Sequence, residues 1–122
     1  MVDNHSVVFA EHGAVILSIN GYHGLEDARN CVFEVVRLFR EHRYKHFICD
    51  LRQMNGFDSQ ARVIWQEQLA ELKKHIAGLT MVGGSPLARM SGAAVCLYAG
   101  IKMGFADTLE QAIAEAASRR SA

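Results

Sequence analysis

Proline is nearly absent: Pro86 is the only one in 122 residues. Cysteine is scarce as well. Cys31, Cys49 and Cys96 are odd in number, follow no metal-ligand spacing and sit among apolar neighbours. That argues against disulfides or a metal site and reads as reduced thiols in a core. Net charge is missing too, because thirteen Lys plus Arg balance thirteen Asp plus Glu. Nucleic-acid binding needs a basic face to displace counterions, and electrostatic membrane docking needs clustered cations. A neutral chain argues against both. The longest weakly polar run, Gly92 to Ile101, falls well short of the ~20 residues that cross a bilayer. The first residues, Met1-Val2-Asp3-Asn4-His5, have neither the basic nor the apolar region of a signal peptide, so a cytoplasmic location is expected.

What is present is ordinary globular composition, 50% hydrophobic and 21% charged. The length suits one domain spanning residues 1–122, with no repeat or linker. Ser6 to Ala10 and Ala14 to Ile19 are β-branched-rich runs separated by Glu11-His12-Gly13, a hairpin signal with glycine supplying positive φ. Gly21 and Gly24 bracket the next turn. Leu25, Ala28, Val32, Val35 and Phe39 then follow helical spacing. Phe47 to Leu51 reads as a buried strand, followed by a polar loop containing Gly56. Trp65, Leu69, Leu72 and Ile76 mark a second helix that stops near Gly78. Leu79 to Val82 is the next strand. Ser85 suits the N-cap and Pro86 the first position of a third helix. Its face is expected to be Leu87, Met90, Ala94, Leu97 and Ile101. Met103 to Ala106 is a last strand. Asp107-Thr-Leu-Glu110 has capping-box form and opens a fourth helix, with Leu109, Ile113 and Ala117 along one side. The order β-β-α-β-α-β-α-β-α predicts a small mixed α/β sheet covered by helices on at least one face.

Catalytic and cofactor motifs are wanting. There is no Gly-x-Ser-x-Gly elbow, no Gly-x-Gly-x-x-Gly, and no Lys-Ser or Lys-Thr after the glycines of Gly83-Gly84-Ser85-Pro86. No enzyme, no cofactor and no metal site are expected. His42 and His46 are four apart, but a helix end falls between them, so the six histidines read as scattered surface residues. The basic stretch from Arg37 to His46 reads as a solvated helix end. Gly83, Gly84 and Ser85 offer two readings, a plain helix cap or an anion site at a helix N-terminus. The small residues Ala88, Ser91, Gly92, Ala93, Cys96 and Ala99 likewise suit either tight packing on the sheet or an apolar groove for a ligand. At Phe57-Asp58-Ser59-Gln60, Asp58 or Ser59 caps the second helix, and a phosphate on the serine would add charge at a helix start.

Together these pieces resemble the STAS family (sulfate transporter and anti-sigma factor antagonist) and its SpoIIAA-like branch, over nearly the whole chain. Ile19-Asn20-Gly21 resembles the family's early glycine turn. Phe47-Ile48-Cys49-Asp50-Leu51, then Met54 and Phe57-Asp58-Ser59, resembles its strand ending in Asp-Leu and the Asp-Ser pair after it. Met81 to Pro86 and Phe105 to Ala112 resemble its later strands and the helices they enter. The resemblance implies a non-enzymatic docking module whose partner is an anti-sigma factor, a kinase or another regulator. It also implies phosphorylation at the start of the second helix. There the chain departs from the pattern: Gln60 stands at the usual acceptor position and Ala61 replaces a glycine, which leaves Ser59 as the acceptor only in a shifted register.

Two functions therefore stand side by side. One is a cytoplasmic regulatory module docking a protein through Gly56, Phe57, Asp58, Ser59 and Gln60 and the adjoining helix, with Trp65 either its anchor or core. The other is a carrier or sensor of a small apolar, lipid-like ligand walled by the helix around Gly92. A homodimer is compatible with either.

Overall fold

A computed structural model of the chain describes residues 6–121. The N-terminal run from Met1 to His5 lies outside the described residues. Five strands form one sheet in the order β1 (Val7–Glu11), β2 (Ala14–His23), β3 (His46–Phe57), β4 (Gly78–Val82), β5 (Met103–Ala106). The first pair is antiparallel and the other three are parallel. The helices are α1 (Leu25–Glu41), α2 (Ser59–Leu72), α3 (Pro86–Ala99) and α4 (Leu109–Ser121).

The β1–β2 hairpin closes with positive φ at His12 (55°) and Gly13 (76°), the geometry whose twist matches the strands. Alternation along the strands then sorts the core into two layers. Val15, Leu17, Phe47 and Leu51 point to one face, where they meet Val35 of α1, Leu69 of α2 and Val95 of α3. Ile16, Ile48 and Val82 point to the other, where Ala112 and Ala116 of α4 cover them. Both faces are helix-covered, which is why the inner strands are apolar on both sides.

Several expectations need correcting. The turn anticipated between Gly21 and Gly24 is strand, and so is the polar loop around Gly56. β2 and β3 run on in parallel, pairing Tyr22 with Gly56 and His23 with Phe57 after two shifts of register. The ladder satisfies the backbone of these polar residues, and side-chain periodicity does not report backbone pairing. α2 ends at Leu72 and a 3-10 turn, Lys73–His75, carries the chain on to Ile76. The α4 cap lies one residue later than expected: Thr108 Oγ1 accepts from Gln111 N at 3.1 Å, and Gln111 Oε1 accepts from Asp107 N at 3.0 Å.

The largest correction concerns α3. Of its expected core face only Ile101, just beyond the helix, is buried; Ala94 is exposed, and Leu87, Met90 and Leu97 are 64%, 68% and 84% exposed. The buried residues are the small or medium ones: Ala88, Val95, Cys96 and Ala99. Gly92 shows why. A Cβ there would stand 2.3 Å from Met81 Sδ of β4, so the helix rests on the sheet too closely for bulk.

Candidate functional site

The C-terminal ends of the parallel strands β3 and β4 feed the N-termini of α2 and α3, and the site is built there. Asp58 is the N-cap of α2 and its Oδ1 accepts from Gln60 N at 2.8 Å. Its own N–H donates to the His23 carbonyl, tying the cap to the end of β2. Ser59 is thus the first residue of α2, exposed, with its hydroxyl free of the capping duty. Ser85 caps α3, accepting from Ala88 N at 3.2 Å, and Pro86 follows it. The capping role expected of Ser85 is therefore seen.

An open groove of about 450 Å³ runs between the two helix starts. Gly56, Phe57, Ser59 and Ser85 line it, together with Tyr22, Met54, Asn55, Arg62 and Leu87. The two stretches singled out in sequence are therefore neighbours in space. Asp58, Gln60, Gly83 and Gly84 frame the groove without lining it, and Gly56 accommodates the Tyr22 ring, which a Cβ would approach to 3.1 Å. Gly92 lies elsewhere, on a neighbouring apolar cavity.

That cavity, of about 100 Å³, lies between the sheet and helices α2 and α3. Its walls are apolar: Leu17, Phe47, Leu51, Leu79, Met81 and Val95 are among them, with Ser91 and Gly92 from α3. Met54, Phe57 and Arg62 line both the cavity and the groove, so the two lie side by side.

One end of the cavity holds a polar chain that the sequence reading missed. His23 is 3% exposed, not a surface histidine, and His46 is buried as well. The Trp65 indole donates to His23 Nε2 at 2.8 Å. Indole is a donor only, so Nε2 is the bare nitrogen and Nδ1 carries the proton. Nδ1 donates to Asp27 Oδ2 at 2.8 Å, which also accepts from Ser6 Oγ at 2.6 Å. Cys31 Sγ completes the set, 3.8 Å from Asp27 Oδ1. Ligand atoms of His23, Asp27 and Cys31 lie within 4.8 Å of one another, which is metal-like spacing. The hydrogen bonding opposes a cation: Trp65 holds His23 in the tautomer that points N–H, not a lone pair, at Asp27. Burial pushes the Cys31 thiol up to about 12. The group is a hydrogen-bonded clasp joining α1, β2 and α2. The spacing of His23, Asp27 and Cys31, each four residues on, was its only sequence signal. Trp65 is accordingly half-buried and packed against the core, its ring 5.9 Å from that of Phe47.

The remaining thiols are shifted the same way: burial pushes Cys96 up to about 11, and Cys49 is raised by burial too. Asp50 sits on the α4 side of β3. Burial alone would raise its carboxyl. Arg52 more than offsets this through two side-chain hydrogen bonds of 2.9 and 2.8 Å, a backbone N–H and its charge, and holds it below the usual value. Among the described residues no helix is long and apolar enough to cross a membrane.

This architecture, a five-strand mixed sheet with the groove at the start of its second helix, is the SpoIIAA-like fold. Solved structures carry it closely. SpoIIAA of Bacillus in its phosphorylated form aligns with a TM-score of 0.68 at 16% identity, over 90% of this chain and 97% of its own. A putative anti-sigma factor antagonist from Thermotoga maritima gives 0.67 at 18%, over 91% and 93%. An uncharacterised DUF3478-family protein from Shewanella loihica, described as SpoIIAA-like in fold, gives 0.67 at 10%, over 90% of each chain. At such identities the likeness is one of fold. No family model and no curated protein sequence matches the chain.

Proposed function

We propose that this chain is a non-enzymatic, cytoplasmic regulatory module that docks a protein partner at the groove and the exposed face of α2. The observation that carries the reading is the position of Ser59: exposed, first in its helix, and on the rim of a groove formed by two helix starts. Proteins of the same fold described as anti-sigma factor antagonists, one of them phosphorylated, support it. Phosphate on Ser59 would place two negative charges at a helix N-terminus, which favours the helix, and in the path of a docking partner, which disfavours the complex. Ser59→Asp and Ser59→Ala test this as immobilised baits with matched thermal melts. Ser59→Ala is expected to retain the wild-type partner and Ser59→Asp to lose it at least tenfold. Equal retention by both ends the proposal.

A second reading, carriage of a small apolar molecule, is favoured by the apolar cavity beside the groove. A native mass above that of the bare chain, lost on denaturation, is its expected signature. A second copy of the chain is the partner we propose for the outer face of α3, where Leu87, Met90, Leu97 and Tyr98 form an exposed stripe without charge. A two-fold interface pairs a patch with the same patch of the second copy, and an uncharged stripe brings no like charges together. Sedimentation of the wild type against Met90→Glu reads this directly: a dimer that the variant breaks supports it, and a wild-type monomer at high concentration refutes it.

A further inference from the structure

The cavity and the groove differ in chemistry and share one charged residue. The cavity offers almost nothing polar to an occupant; the groove carries hydroxyls, an amide and an arginine. Arg62 stands at the junction, half-buried. No hydrogen bond or ion pair among the described residues engages its guanidinium, whereas Arg29, Arg37 and Arg52 are each paired to carboxylates. An unpaired guanidinium between an apolar cavity and a polar groove is complementary to an anion that carries an apolar tail. The guanidinium fork matches a carboxylate or phosphate, and the tail gains by leaving water.

We infer that the groove and cavity together form a site for a small amphipathic anion, its head on Arg62 and its tail beneath α3. The inference rests on the carrier reading above and specifies the ligand class. Size follows from volume. An apolar cavity of about 150 Å³ holds one benzene, so the roughly 100 Å³ found here admits about four carbons. Hexanoate fits that measure, with its first two carbons on the groove side. Because Phe57 and Arg62 also line the docking groove beside Ser59, an occupied site would change the surface presented to a partner.

Trp65 is the only tryptophan and lines the cavity, so its fluorescence reports occupancy. The full chain would be titrated at neutral pH with hexanoate, hexyl phosphate, acetate and hexanol. Saturable binding of hexanoate or hexyl phosphate is expected, at least tenfold tighter than either acetate, which lacks the tail, or hexanol, which lacks the charge. The tighter of the two anions identifies the head group. Arg62→Gln should weaken the anions tenfold or more and leave hexanol within twofold. Gly92→Ala, which forces the end of Met81 into the cavity it lines, should weaken hexanoate and hexanol alike. Hexanol binding as tightly as hexanoate, unchanged in Arg62→Gln, overturns the anionic head and leaves the carrier reading standing. Absence of saturable binding by hexanoate, hexyl phosphate and hexanol overturns both.

Discussion

The two faces of α3 are built on opposite rules. The inner face is small, with Ala88, Gly92, Cys96 and Ala99, and it rests close on β4. The outer face is large and apolar, with Leu87, Met90, Leu97 and Tyr98 more than half exposed. Bulk usually marks the core side of a helix. Here the approach of the helix to Met81 selects the residues that fit, and the bulk is left on the surface. Contiguous exposed apolar residues are a recognised mark of an interaction surface. The contrast therefore separates a face used for folding from a face free for binding.

Substitutions on the two faces can break that contrast. The largest effect is expected for Val95→Asp, which puts an unpaired carboxylate on the 5%-exposed inner position. It should cost at least ~3 kcal/mol in denaturant unfolding, and a mild loss would mean α3 is not seated as described. Gly92→Leu must displace Met81 and is expected to cost about 1–3 kcal/mol by overpacking. Trp65→Phe keeps most of the ring but strips the donor from buried His23 Nε2. An expected loss of about 1–3 kcal/mol would show that the inner layer is held by a polar clasp as well as by packing.

On the opposite side of the sheet, Asp50 supplies a pH-dependent contribution. Its folded pKa is depressed, so its stabilisation is complete above about pH 4. It is lost as pH falls through the lower folded value. Asp50→Asn should cost about 1 kcal/mol at neutral pH, near the low end for a charged hydrogen bond because Arg52 is 42% exposed. It should also flatten the acid limb of the stability profile. The smallest effect is expected at Leu97→Gln on the outer face, within about 0.5 kcal/mol of wild type. A loss above 2 kcal/mol in the monomer would show that this side chain is part of the fold after all.

Much of this molecule was legible in the chain. The hairpin at His12-Gly13, the buried stripe of α1 and the Ser85-Pro86 helix start each follow from local stereochemistry, and local rules read them correctly. The groove was half legible: Gly56 to Gln60 and Gly83 to Ser85 were both singled out, but not as neighbours. His23 was misread as a surface residue because its partners, Asp27 and Trp65, lie on different helices. One of them is 42 positions away.

The order of elements, the Ser85 cap and the alternation that divides the strands between two layers follow from local sequence, because they depend on residues within a turn or two of each other. Tertiary structure alone decided how far β2 and β3 run together, which face of α3 goes inward, and that Arg62 stands unpaired between a groove and a cavity. Each of those depends on distances between segments remote in the chain. An apolar period along a helix says that a face exists; only the spacing to the sheet beneath it says which residues can fit there.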